Sequence, residues 1–336
     1  MERGKEGESE MRFYRKLGAA AALLAASAAA MAATCTTQAA MTDQDRGMLS
    51  AEVLLLAGDV AQQNFPVLQA SLLPSQTGSW EGIRTVAQMA VPLLAQGKIQ
   101  VRNLYLLDAS TLTAAADTEF FCSDKTGAIN VTIDLPALPP GKYALALAEA
   151  VGSPLAGQIG IMIGWDGVSN SWRLAGLFAH QGVFDGHDGI WYWTRGRSLI
   201  RTDPWTAYFS YLAARYLLIP VDFLSSPNLE KLSQEQEQIS PSPANVFPLS
   251  LQQGERTWKI NAVVLDPSLH EPDLGIAYES TGVTDPAALR TEATSVMSAL
   301  LKYQPGLRAN FHGLWAYAVT GGKSTPVMEL PMGQIP

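Results

Sequence analysis

The 336-residue chain carries 23 Lys and Arg against 31 Asp and Glu, a formal net charge of −8. An acidic chain without a basic stripe is poorly suited to nucleic acid, whose phosphates are met by clustered Lys and Arg, so no nucleic-acid partner is expected. With 47% hydrophobic residues and two cysteines, it is a globular chain long enough for two domains, and neither a disulfide scaffold nor a zinc site of cysteines.

Met11 opens a short basic segment, an alanine-rich apolar run follows over residues 17–30, and Ala30-Met31-Ala32 supplies a small-x-small cleavage signal. That order predicts a secretory signal peptide over residues 1–32, with export to the periplasm or the cell exterior. The apolar run falls short of the ~20 residues of a spanning helix, and no later stretch reaches that length, so the mature chain is expected to lack a transmembrane segment. Residues 33–43 are small and polar and read as a mature N-terminal tail. Cys35 in that tail has two readings. In an oxidising compartment it pairs with Cys122; alternatively it carries a lipid anchor, to which the preceding Ala32-Ala33-Thr34 is a poor fit.

Residues 44–186 read as one unit. Leu49, Val53, Leu56 and Val60 recur at helical spacing, Pro66 starts a short second helix, and a third runs over about 80–95 with Ile83, Ala87, Ala90 and Leu94 on one side. Alternating strands follow, carried by Tyr105 and Leu107, by Val131, Ile133 and Leu135, and by Tyr143, Leu145 and Leu147. Residues 158–164 and 172–178 form a hairpin in which Trp165 and Trp172 are placed to pair.

Helices followed by an antiparallel meander predict an α+β unit with its helices packed on one face of a curved sheet. This order, ending in the hairpin with Trp172-Arg173-Leu174-Ala175-Gly176, resembles the nuclear-transport-factor-2-like cone fold over roughly residues 44–180. The resemblance implies a pocket at the cone mouth. The chain departs from the family in placing all three helices before the strands. A β-sandwich with appended helices is the other reading of the same residues. In general organisation the whole chain is also similar to exported proteins of environmental bacteria, which implies no activity.

Residues 187–238 read as a block of three helices. Asp188 precedes the first, Asp203-Pro204 and Ser226-Pro227 open the next two, and Trp205, Tyr208, Phe209, Leu212 and Tyr216 form a wide apolar stripe. Residues 239–255, rich in Ser, Pro and Gln, read as a linker. Residues 256–332 then read as a second, ββαββ unit whose helix begins at Asp285-Pro286.

Little of this carries a catalytic signature. Gly321-Gly322-Lys323-Ser324 lacks the earlier glycine of a phosphate-binding loop, Tyr317 standing in its place, and lies between two strands; it reads as a hairpin turn. His180 and His187, with Asp185 and Asp188, are the candidates for acid–base chemistry, because histidine beside carboxylate is the usual proton shuttle. The same four side chains suit a zinc or manganese cluster, but a helix cap for Asp188, a turn for Asp185 and a packing face for His180 account for them more simply, so neither metal nor cofactor is assigned. His270 reads as a solvated turn residue and His312 as a strand cap.

Trp191, Tyr192 and Trp193 sweep about 200° of a helix, so this helix is expected to be wedged between two surfaces. With Arg195 and Arg197 they form the candidate binding set, for a sugar or peptide. A basic ridge of Arg195, Arg197 and Arg201 is expected to answer Asp222 or Glu230. The expectation is an exported, non-enzymatic binding or scaffold protein whose ligand sits at the cone mouth or in the inter-domain groove. The alternatives are a hydrolase or isomerase built on a His/Asp pair and a subunit of a cell-envelope assembly.

Overall fold

The computed structural model describes residues 33–336 apart from positions 125, 128, 129, 154 and 241; the predicted signal peptide lies outside the described residues. The architecture is α+β, with largely antiparallel sheets and seven α-helices among the described residues. Among these, no helix is long and apolar enough to cross a membrane.

The first unit has three layers. Helices α1 (Asp43–Ala61), α2 (Phe65–Ala70) and α3 (Trp80–Leu94) bury Leu49, Val53, Leu68, Ala87 and Leu94 against one face of a five-stranded antiparallel sheet. Thr42 starts α1 by accepting a hydrogen bond from the Asp45 amide. The sheet runs in the order β1 (Thr34–Thr37), β2 (Lys98–Asp108), β5 (Lys142–Val151), β6 (Gly157–Asp166), β7 (Ser171–Gln181). Strand β5 shows how the sequence sets this up. Its two alternating sets are both apolar: Ala144, Ala146 and Ala148 let the helices approach, while Tyr143, Leu145 and Leu147 face the other way.

That other face is covered. A second sheet, β3 (Ala116–Ser123), β4 (Asn130–Leu138) and β10 (Leu224–Ser225), packs Phe120, Ile133, Leu135 and Leu224 onto Tyr105, Leu107, Leu145 and Leu147. The face of the large sheet opposite the helices is therefore covered by side chains of the second sheet.

Residues 34–37 are not a tail. Strand β1 pairs with β2, Cys35 opposite Leu107, and its cysteine is joined to Cys122 of β3 with the Cα atoms 5.1 Å apart. The disulfide ties the edge of the large sheet to the small one, and a sulfur so engaged is not open to the lipid attachment considered for Cys35. The strand was hidden because TCTT is short and has little apolar alternation.

In the β6–β7 hairpin Trp165 and Trp172 do face each other, ring centroids 5.5 Å apart and edge-on. His180, however, does not share the face of Leu174. A β-bulge sets Met162 opposite Gly176 and Ile163 opposite Leu174, so the alternation changes phase between them. Leu174 and Leu177 consequently face the helices, while Phe178 meets Phe223 and His180 meets Tyr216.

The helical block is the junction of the molecule. Its helices are α4 (Gly189–Leu199), α5 (Pro204–Leu218) and α6 (Pro227–Glu237). Helix α5 is shared: Trp205 and Phe209 belong to the core of the C-terminal unit, and Ala207, Tyr211, Ala214 and Leu217 to the core with α4 and α6.

The C-terminal sheet begins earlier than expected. Residues 239–255 are not simply a linker, for β11 (Leu249–Gln253) pairs with β12 (Arg256–Asp266) and adds a fifth strand to a βββαββ unit. Strands β13 (Asp273–Glu279) and β14 (Gly313–Thr320) run parallel, linked by α7 (Pro286–Tyr303), and β15 (Lys323–Pro331) closes the edge. Ile276, Tyr278, Val296, Leu300 and Leu314 form its core. In the parallel pair a crossover helix returns the chain to the same end of the sheet and so places Asp273 beside His312 and Gly313.

Candidate functional site

The stretch Val183 to Asp188 is a miniature hairpin, β8 (Val183–Phe184) against β9 (His187–Asp188). Its two-residue turn needs positive φ at both positions, and Asp185 (46°) and Gly186 (73°) provide it. Asp188 then accepts a hydrogen bond from the Trp191 amide at 2.8 Å and starts α4. Asp188 is thus a cap, and no hydrogen bond joins it or Asp185 to His187 among the described residues.

The hairpin and the first turns of α4 form one wall of a groove of about 360 Å³, contributing Asp185, His187, Trp191, Tyr192 and Arg195. The opposite wall comes from the C-terminal unit, with Glu271, Asn310, Phe311 and His312. His187 lies flat on Trp191, centroids 3.8 Å apart with an 8° tilt, and the Arg195 guanidinium sits over the same indole at 5.3 Å. Arg195 bridges the walls through both Nε (2.9 Å) and a terminal nitrogen to Asn310 Oδ1. Trp191 keeps 37% of its surface exposed here. His180 is elsewhere: half-buried beneath Tyr216, it is held by desolvation below the usual histidine range.

The three aromatics divide as the helix geometry requires. Trp191 lines the groove, while Tyr192 and Trp193 are buried, Tyr192 edge-on to Phe184 and Trp193 towards α6. The predicted basic ridge does not form. Arg195 goes to Asn310, and Arg197 lies over Trp193 at 4.4 Å and makes two 2.7 Å bonds to Glu235 instead of Asp222 or Glu230. Helix periodicity explains this, since side chains two residues apart point to different sides.

Glu235 is a hub. Besides Arg197 it accepts from Trp193 Nε1 at 2.7 Å and Tyr211 at 3.1 Å. The Arg197 bonds lead in holding its carboxyl down at about 2, below the ordinary value of 4.5. A depressed carboxylate adds stability above its unfolded pKa and loses it as pH falls through the folded one. Glu235→Gln is expected to cost about 2 kcal/mol near neutral pH, after allowance for partial exposure. Urea titrations of parent and variant should converge as the pH is lowered from about 5 towards 2; an unchanged gap would contradict the assignment.

The histidine–carboxylate contact in the groove is one that sequence spacing does not reveal. His312 Nδ1 lies 2.9 Å from Asp273 Oδ1, and that bond raises the imidazole above its usual range. The partners are 39 positions apart, and only the parallel crossover brings them together. His270 is not merely solvated either, for its ring bonds Gln181 Oε1 at 2.9 Å and its carbonyl accepts from the same amide, which closes the seam between the units beside the groove.

No family model matches the chain, and neither a curated protein nor a solved structure matches it.

Proposed function

We propose that this is an exported binding protein that takes a short peptide bearing both charges in the groove between the helical block and the C-terminal unit. One observation carries the reading: the groove holds side chains of both charges that are not taken up in direct ion pairs among the described residues. Asp185 and Glu271 line it and form no ion pair among the described residues. Arg195 is bonded to the neutral amide of Asn310 and to no carboxylate. A ligand with a free carboxylate and a free amine complements such a surface, and electrostatic complementarity sets specificity. The aromatic wall of His187 and Trp191 supplies contact area, and about 360 Å³ falls in the range of small-ligand pockets. The Cys35–Cys122 disulfide supports export, since such bonds persist in oxidising compartments. The layering of helices on an antiparallel sheet supports the cone-fold likeness for the first unit. Because its inner face is packed, the ligand is assigned to the inter-domain groove.

Calorimetric titration with trialanine and its phenylalanine-centred analogue tests the reading. The free peptides should bind, and N-acetylation or C-amidation should each weaken binding by about tenfold or more. Arg195→Gln should abolish the sensitivity to C-amidation. Equal affinity for free and blocked peptides, or no binding of either, would overturn the proposal.

A second reading, an enzyme acting in the same groove, is favoured by the 2.9 Å His312–Asp273 bond, since a carboxylate-held histidine is a proton shuttle. Mass spectrometry of the calorimeter contents separates the two. Intact peptide supports binding, and fragments support hydrolysis.

A further inference from the structure

At the end of the C-terminal sheet that forms the groove wall, two carboxylates converge across a glycine. Asp273, the first residue of β13, is fully buried. Glu329 reaches in from β15, the antiparallel neighbour of β14. Gly313, the first residue of β14, leaves the space between them: a Cβ there would strike Glu329 Oε1 and lie 3.0 Å from Asp273 Oδ1. His312 completes the cluster, its ring within 2.9 Å of Asp273 Oδ1 and partly open to the groove.

The hydrogen bonding of this cluster is incomplete. Asp273 Oδ2 and Glu329 Oε1 are both buried, and neither has a hydrogen-bond partner among the described residues. A buried carboxylate oxygen without a donor is costly, and a second acid close to it compounds the cost. Burial and the neighbouring Asp273 raise the Glu329 carboxyl above its ordinary range. Among the described residues, His312 is bonded to one of the four carboxylate oxygens. One ligand atom from each of the three residues can be chosen so that all lie within 4.8 Å of one another. Metal bonds of about 2.0–2.2 Å reach across such a span with small side-chain movements.

We propose that Asp273, His312 and Glu329 form a binding site for a divalent cation of the zinc or manganese type. Imidazole with two carboxylates is a nitrogen–oxygen donor set that suits these ions, and three protein ligands leave a coordination position free. Asp273 supplies an oxygen that no donor among the described residues satisfies, Glu329 a second, and His312 a nitrogen at the edge of the groove. Imidazole and carboxylate bind a cation in their deprotonated forms, so loading would weaken as pH falls. The inference does not rest on the peptide reading, because cation binding is read with no peptide present.

The test is calorimetric titration of the untagged, chelator-stripped chain with zinc ions and, separately, manganese ions. One equivalent should bind, with a rise in melting temperature. His312→Ala and Glu329→Gln should each weaken binding by at least about tenfold, and His270→Ala should leave it unchanged. Both substituted residues are at least partly exposed, so the variants are expected to fold, and their melting curves without metal check this. Asp273→Asn, at a fully buried position, is compared on the same two measurements. Absence of binding would mean that a shared proton alone neutralises the cluster. Zinc binding of undiminished strength in Glu329→Gln would place the ion on other side chains. Either result overturns the site.

Discussion

Replacing both Cys35 and Cys122 by serine should lower the free energy of unfolding by about 4 kcal/mol. The cysteines are 87 positions apart, and a crosslink closing so long a loop removes much of the entropy of the unfolded chain. The bond also has a specific mechanical place. It holds β1, the edge strand of the large sheet, to β3 of the small sheet, across the core of Phe120, Leu107 and Leu145. Denaturant titration with and without reductant measures the effect. Reduction should bring the parent to the midpoint of the double-serine variant, which itself should ignore reductant. A variant as stable as the oxidised parent would show that the two sheets need no tie.

The second large effect is expected at Phe209. This side chain is fully buried in the C-terminal core, edge-on to Phe311 and Tyr208, yet it stands on α5, whose next turn packs against α4 and α6. Phe209→Ala leaves a cavity and should cost about 3–5 kcal/mol. Because Phe311 and the first turns of α4 both line the groove, the loss should also reach the groove. Hydrogen exchange should show protection falling in α5 and around 305–311, with strands β2, β5 and β6 little changed. Loss of protection confined to the C-terminal sheet would argue that α5 does not couple the two cores.

The parts of this fold that were legible in the sequence share one property: their cause is local. Asp188, Asp203, Ser226 and Asp285 each precede a helix, and each caps it through a side-chain oxygen accepting from an amide three residues on. Trp165 and Trp172 pair because the turn between them fixes the register. The spacing of Trp191, Tyr192 and Trp193 required more than one surface around α4, and the helix divides them between the groove and the interior.

What the sequence concealed depends on distant partners. Strands β1 and β11 are short and weakly apolar, and both exist because a longer strand, β2 or β12, offers them a hydrogen-bonding edge. The phase change at the β7 bulge has no signal in the alternation of Trp172, Leu174 and Phe178, which share strand parity in sequence; the bulge sets Gly176 opposite Met162 and splits them between faces. In sequence His312 reads as a strand cap because it begins a strand; Asp273 and Glu329 reach it through the parallel β13–β14 pair and the β14–β15 hairpin. The one available signal was Gly313, a glycine beginning an apolar strand, which marks a close approach.

On the proposed reading, the two walls of the groove act together on one ligand. Hydrogen exchange of the full chain, with and without a saturating concentration of free trialanine, tests it most directly. Binding in the groove predicts slowed exchange in residues 187–195 and in residues 309–312 together. Slowing on one wall alone, or only at sites remote from both, would contradict it.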